Sequence, residues 1–327
     1  MRPLSTVRLG VHLTRAMGLL PRLVIVLCVC AALLPALSDG VRAYQRPARA
    51  RVQAGGAGEI QTTVVAGLGR GARCTRLAAA GDDLYVLDAA AEHVRRYTLN
   101  GLPYALQFTQ VMRWREGDNG LIIGRPLDLS LTGERLFILD GLGALWSYWG
   151  PDYARAIVPL RLQSNQGAPV SVALHGSDLL LLDNKRQVWD YAPSGGAYDT
   201  VPRPLLVRPL VGAGAARVGV TARALLVLRT NGAITDVPWG RTTGTDTTLP
   251  ISLSVTGLWS DAARARFLVT SAHELAIVGA DGAVQWRATV GGLNGETLRD
   301  IALSPSGKLY LLTNTRILLV TARVPAL

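Results

Sequence analysis

The chain has 327 residues, of which 49% are hydrophobic, and its formal net charge is +11. This hydrophobic fraction is large enough for a folded core and excludes a mainly disordered chain. The positive charge comes almost entirely from scattered arginines, which suit an anionic ligand. No basic stripe is interleaved with aromatic residues, so we expect no binding of nucleic acid.

The N-terminus, residues 1–38, has the pattern of a targeting segment. Four arginines precede the uncharged apolar run Leu23–Leu37, and small residues follow at Ala36–Ser38. This pattern predicts a signal peptide, with an uncleaved membrane anchor as the alternative. Residues 39–58 are rich in Arg, Ala and Gly without a hydrophobic period, which predicts a flexible linker. We therefore expect an extracytoplasmic protein, either secreted or anchored to a membrane.

Cysteine usage is sparse. Two of the three cysteines, Cys28 and Cys30, lie inside the apolar run, so a chain that lost this segment would retain Cys74 alone. This count excludes an internal disulfide in the folded part and a metal site built on several cysteines.

The rest of the chain, residues 59–327, is built from six repeats. The phrase Gly81–Asp88 recurs as Gly133–Asp140 and Gly176–Asp183, with looser copies further on. Six residues occupy the same repeat position, 41 to 52 residues apart: Asp88, Asp140, Asp183, Arg229, Thr270 and Thr313. Each repeat holds short apolar runs separated by turn residues. A period of this length, made of strands without helices, predicts an all-β fold, a six-bladed β-propeller.

The sixth repeat has no residues for a fourth strand, because the chain ends soon after the run Arg316–Thr321. At the start of the domain, the β-rich run Ile60–Val65 belongs to no repeat. We predict that this N-terminal run supplies the outer strand of the last blade, which closes the ring and covers an open sheet edge.

The first repeats resemble those of the NHL-type six-bladed propellers. The resemblance rests on Leu84–Asp88 followed by Val94–Gly101, and on Pro126–Ser130 followed by Gly133. It covers roughly residues 72–200 and fades beyond them, where Ala280–Trp286 looks more like a repeat of the quinoprotein-type propellers. Both resemblances imply a propeller, and neither points to an individual protein.

Residues with catalytic potential are few. Asp88, Asp140 and Asp183 share one repeat position, so we interpret them as acceptors for the turn that follows each second strand. Six-bladed enzymes of the lactonase or lyase type place metal ligands on inner strands around the channel, and the inner strands here offer only Asp128 and Asp300. The sequence therefore predicts no catalytic residue, no metal site and no cofactor.

One face of the propeller is the better candidate for binding. The loops from fourth to first strands and from second to third strands share this face, which we call the 4–1 face. It carries the longest insertion, Trp114–Arg125, in which an aromatic residue is flanked by charges. The alternative is that Trp114 packs on the rim. The predicted binding residues are Trp114, Arg115, Glu116, Asp118, Lys185, Arg186 and Arg316.

Taken together, these features favour an exported, non-enzymatic β-propeller that binds a protein or another component of the cell envelope. Two alternatives stay open. One is a propeller hydrolase or lyase of the lactonase type, and the other is a membrane-tethered subunit of a larger complex.

Overall fold

Twenty-seven β-strands and no α-helix make up the part of the chain that the computed structural model describes. The described residues lie within one compact unit, Val52–Leu327. They are residues 58–69, 71–81, 83–99, 106–112, 125–132, 135–141, 144–149, 155–161, 167–194, 197–198, 201–206, 209–212, 214–239 and 247–325.

Two short strands precede the first blade, and the first three blades follow in chain order. The leading strands are β1 (Glu59–Ile60) and β2 (Thr62–Gly67). Blade 1 consists of β3 (Cys74–Ala80), β4 (Asp83–Asp88), β5 (His93–Leu99) and β6 (Leu106–Met112). Blade 2 consists of β7 (Pro126–Thr132), β8 (Arg135–Asp140), β9 (Ala144–Trp149) and β10 (Arg155–Arg161). Blade 3 consists of β11 (Pro169–His175), β12 (Asp178–Asp183), β13 (Val188–Tyr191) and β16 (Arg203–Pro204), with a hairpin of β14 (Pro193–Ser194) and β15 (Ala197–Tyr198) before its last strand.

The last three blades keep the same order. Blade 4 consists of β17 (Ala215–Val220), β18 (Ala224–Arg229), β19 (Ile234–Pro238) and β20 (Thr247–Thr248). Blade 5 consists of β21 (Gly257–Trp259), β22 (Phe267–Thr270), β23 (Glu274–Val278) and β24 (Val284–Val290). Blade 6 consists of β25 (Asp300–Leu303), β26 (Leu309–Leu312), β27 (Arg316–Val320) and β2.

The six sheets form a closed ring. The first strands of successive blades contact one another, and β25 of blade 6 contacts β3 of blade 1. This circular contact pattern confirms the six-bladed β-propeller that the repeats predict. The first strands therefore surround a central channel, and the fourth strands lie at the rim.

The core consists of six apolar clusters, one between each pair of adjacent blades. Alternate residues of a second strand enter different clusters: Leu136 and Ile138 pack against blade 1, and Phe137 and Leu139 pack against blade 3. Because successive strand residues point to opposite faces, a strand buried on both faces needs an unbroken apolar run. This explains why the second strands carry the least polar sequences of each repeat.

The predicted closure of the last blade is confirmed. Strand β2 pairs antiparallel with β27, from Thr62 opposite Val320 to Gly67 opposite Arg316. The strand lies two residues later than the predicted run Ile60–Val65, because the preceding residues have a different partner. Strand β1 pairs in parallel with β24 of blade 5, with Ile60 opposite Val290. The N-terminal segment therefore joins the rims of blades 5 and 6.

Aspartates at the ends of the second strands bind the turns that follow them, as predicted. Asp140 accepts hydrogen bonds from the backbone N–H of Ala144 and from Nε1–H of Trp146, both at 2.8 Å. Asp183 accepts from the backbone N–H four residues later and from Nε1–H of Trp189, both at 2.9 Å. In blades 2 and 3, one buried carboxylate therefore binds both the turn and the indole. This explains why Trp146 and Trp189 occur in the third strands of these blades.

Blades 1 and 4 also link the end of the second strand to the third strand, but with other pairs of residue types. Asp88 forms an ion pair with Arg95 at 2.7 Å, and Arg229 donates from Nε to the hydroxyl of Thr235 at 2.9 Å. In each case, the residue at the end of the second strand contacts a residue in the third strand. The loss of the aspartate in blade 4 therefore does not remove the contact.

Removal of residues 59–67 should destabilise the ring. The deletion eliminates β1 and β2, which leaves β27 as an unpaired edge and exposes part of the apolar cluster between blades 5 and 6. We expect a lower melting temperature and aggregation, measured by circular dichroism and light scattering. A matched truncation that removes residues 1–57 retains both strands and serves as the control. Equal melting temperatures for the two truncations would contradict this role of β1 and β2.

Replacement of Asp140 by alanine should lower the free energy of unfolding by about 2 kcal/mol, since it removes the carboxylate that accepts from two buried N–H donors. Asp140→Asn retains one acceptor oxygen and should cost less. Urea unfolding of both variants measures the difference. Equal losses would show that the charge of Asp140, and not its hydrogen bonds, stabilises the turn.

Candidate functional site

A belt of polar side chains crosses the channel at one level of the first strands. Five blades contribute one residue each, at the same position of the first strand. In the sheet, this position lies opposite the residue that precedes Asp88, Asp140, Asp183, Arg229 or Thr313 in the second strand. We call these five residues the central belt: Arg76, Asp128, Ser171, Arg217 and Asp300. All lie near the beginning of their strands, so the belt is close to the 4–1 face.

The acidic and hydroxyl members of the belt bind backbone N–H groups of the next blade. Asp300 of blade 6 accepts from Leu77 of blade 1 at 2.8 Å, and Asp128 of blade 2 accepts from Val172 of blade 3 at 3.0 Å. Ser171 accepts in the same way from the first strand of blade 4 at 3.0 Å. The first strand has no sheet neighbour on its channel side, so these side chains satisfy donors that would otherwise be unpaired.

Arg76 balances the charge of Asp128 and reaches across the channel. Its Nε lies 2.7 Å from Oδ1 of Asp128, and its Nη2 donates to the carbonyl of Ala216 in blade 4 at 3.3 Å. The other oxygen of Asp128 accepts from the hydroxyl of Ser171. Burial alone would lower the pKa of Arg76, but the nearby Asp128 and Asp300 raise the pKa above its ordinary value. The guanidinium is therefore a permanent cation.

Arg217 pairs with Asp300, although the two residues belong to blades 4 and 6. The intervening blade contributes Gly257, where an added Cβ would lie 2.7 Å from Cα of Asp300 and 3.1 Å from its Oδ1. A side chain at this position would collide with Asp300, so glycine is required for the carboxylate to meet Arg217. Burial raises the pKa of Asp300, although Arg217 and Arg76 both act to lower it.

A cavity of about 600 Å³ lies on the other side of the belt. It opens toward the face that carries the turns between first and second strands, which we call the 1–2 face. The ends of all six first strands contribute to its wall, and Arg217 is the belt residue that lines it. Five blades place an apolar residue at the same wall position: Ala79, Leu131, Leu174, Val220 and Leu303.

The predicted binding residues do not form one described cluster. Trp114, Arg115, Glu116 and Asp118 lie outside the described residues. Lys185 and Arg186 follow the second strand of blade 3, and Arg316 begins the third strand of blade 6, on the opposite side of the ring.

The individual contacts of the described arginines are structural. Arg186 has a positive φ of 68° and donates from Nη1 to the carbonyl of Gly212 at 2.8 Å. Arg316 lies 3.3 Å from Glu296 and also donates to the backbone carbonyls of Gly292 and Leu293. The side chain of Lys185 is exposed. Of the three, Lys185 is the residue most accessible to a partner on the 4–1 face.

Metal-binding and membrane-spanning features are not found in the described part of the chain. No group of three or more His, Cys, Asp or Glu side chains there could hold a metal ion. Among the same residues, no helix has the length and apolar character needed to cross a bilayer.

Comparisons with known proteins agree with the fold. No family model matches the chain, and no curated protein matches its sequence. Among solved structures, 1485 chains match it. One is described as the streptogramin B lyase structure, with a TM-score of 0.53 and 9% identity over 79% of this chain and 95% of that chain. The likeness is one of fold. Since so many structures share this architecture, function has to be argued from the site.

Replacement of Arg217 by glutamine should make stability strongly dependent on pH. The variant removes the cation next to buried Asp300, so the pKa of Asp300 in the folded state should rise further above its unfolded value. The folded carboxyl then holds a proton that the unfolded chain releases. This contribution to stability is therefore present at acid pH and is lost as the pH rises above about 4, the ordinary pKa of an aspartate.

Urea unfolding across this pH range measures the effect. The double variant Arg217→Gln/Asp300→Asn lacks the titrating group and is the matched control, in which the extra pH dependence should disappear. A loss of stability in the single variant that is the same at every pH would contradict the proposed coupling.

Proposed function

We propose that the protein is an exported, non-enzymatic β-propeller that binds a protein or another component of the cell envelope. The main support for the proposal is that the carboxylates of the inner strands are already hydrogen-bonded within the protein. Both oxygens of Asp128 and of Asp300 are bound by donors of the protein itself. The carboxylates that a propeller enzyme would need at the channel are thus occupied in holding neighbouring blades together.

The arrangement of the rest of the ring supports the same proposal. Buried polar residues at the ends of second strands are engaged by their own turns and third strands. Because these polar groups bind one another, they make the ring rigid and are not free for catalysis. A rigid ring of this kind holds its loops in fixed positions, and binding residues concentrate in loops. The predicted signal peptide or membrane anchor, residues 1–38, and the predicted linker, residues 39–58, would place this ring in the cell envelope.

The partner surface is proposed on the 4–1 face, where the sequence places the insertion Trp114–Arg125 and where Lys185 is exposed. An aromatic residue flanked by arginine is the combination in which interfaces concentrate binding energy. The membrane-tethered alternative uses the same face and differs only in whether the apolar run Leu23–Leu37 is retained. The intact mass of the mature protein separates these two forms.

Joint replacement of Trp114 and Arg115 by alanine should weaken partner capture from envelope extract. Loss of a hot-spot aromatic and its neighbouring cation reduces affinity by a factor of about ten or more. The readout is the amount of each retained component, identified by mass spectrometry, with melting temperature as the check on folding. Arg287→Gln, on the exposed outer strand of blade 5, is the control.

Undiminished capture by the double variant would overturn the proposed surface. The enzymatic alternative has its own test, because a lactonase-like protein would turn over lactones when divalent metal is added. Such turnover, abolished by Asp128→Asn, would overturn the non-enzymatic proposal.

A further inference from the structure

The cavity on the 1–2 face has the size and closure of a small-molecule site. Its volume of about 600 Å³ lies within the usual range for ligand pockets. All six blades line it, and the central belt closes it at one end. A ligand would enter from the 1–2 face, which is the face opposite to the proposed partner surface.

The wall and the floor of this cavity differ in chemistry. The wall carries apolar side chains at one repeated position, of which Leu131, Leu174 and Leu303 are only half-buried. The floor contains Arg217, whose side chain is 14% exposed. Asp261 and Arg264, which form an ion pair with each other, also line the cavity. The apolar wall position, together with Arg217 on the floor, suits a ligand with an apolar body and one polar end.

The floor offers hydrogen-bond donors and no free carboxylate oxygen. In Arg217, Nη1 is engaged by Asp300, and neither Nε nor Nη2 makes a hydrogen bond to the described residues. Both oxygens of Asp300 are occupied, by Arg217 and by the N–H of Leu77. The hydroxyl of Ser260 accepts from Val220 at 2.8 Å, which leaves its own hydrogen available to the cavity that it lines.

A ligand that binds these donors needs a hydrogen-bond acceptor. Because the guanidinium is positively charged, an anionic acceptor should bind more tightly than a neutral one. A guanidinium edge matches the two oxygens of a carboxylate, and hydrogen bonds between charged groups are about twice as strong as neutral ones. The belt has two arginines and two aspartates, so it carries no net negative charge that would repel the ligand.

We propose that this cavity binds a small amphiphilic carboxylate, with its acid group on Arg217 and its apolar body against the wall. The site is independent of the partner surface on the 4–1 face. It requires no covalent step, and its occupant would be held by one charged contact and by burial of apolar surface.

Binding of decanoate and decanol by the full-length protein tests the proposal. Isothermal titration calorimetry should show one saturable site for decanoate and affinity for decanol lower by a factor of about ten or more, because the alcohol lacks the charge. Equal affinities, or no saturable binding of decanoate, would overturn the proposal.

Three variants locate the site. Arg217→Gln/Asp300→Asn removes the charge pair together and should abolish the preference for decanoate over decanol. Ala79→Leu introduces the residue that blades 2, 3 and 6 carry at this position, and it should weaken both probes by filling the cavity. Arg287→Gln, an exposed arginine outside the cavity, should bind as the parent does.

A retained preference in the double variant, or unchanged affinities in Ala79→Leu, would overturn the assignment. Should the double variant fail to fold, as judged by circular dichroism, the decision rests on Ala79→Leu and on the comparison of the two probes in the parent.

Discussion

The inner edges of the first strands impose the constraint on which the rest of the structure depends. Each first strand pairs with a second strand on one side only, and its other edge faces the channel with unpaired N–H groups. Asp128, Ser171 and Asp300 accept from these groups on the following blade. A buried carboxylate used in this way must be paired with a cation, which explains the two arginines of the belt.

The hydrogen bonds and ion pairs of the belt give the two ends of the channel different chemistry. The charges of the belt lie near the beginning of the first strands, whereas mostly small or apolar residues and the ion pair of Asp261 with Arg264 line the opposite end. The two ends therefore suit different ligands, and Arg217 belongs to both, as a member of the belt and as the floor of the cavity. Gly257 belongs to the same arrangement, because only a residue without a side chain lets Arg217 of blade 4 meet Asp300 of blade 6.

The architecture could be predicted from the sequence because its determinants are local. Apolar second strands, turn residues and the repeated aspartates recur at one period, and the roles of Asp140 and Asp183 follow from their position beside a turn. The closing strand was also predictable, since Ile60–Val65 is a β-rich run without a repeat. The parallel pairing of β1 was not, because two residues carry no periodic signal.

The belt was harder to foresee because its contacts are distant in sequence. Arg76 and Asp128 are 52 residues apart, and Arg217 and Asp300 are 83 residues apart. Alignment of the first strands places arginine, aspartate and serine at one position, and this was the signal available for finding the belt. The contacts of Arg316 with Glu296 and two backbone carbonyls could not be foreseen either, because these partners lie 20 to 24 residues away in the sequence.

The pairing of β2 with β27 has a consequence for how the chain folds. Hydrogen bonds at this seam join residues as far apart as Gln61 and Thr321, so the contact that completes the ring also has nearly the largest sequence separation in the domain. Contacts of this kind form slowly, because the entropy of closing the loop is lost before the contact is gained. Strand β2 is thus synthesised long before its partner β27, the last of the described strands. A chain interrupted at any point before β27 carries β2 unpaired and an unfinished ring.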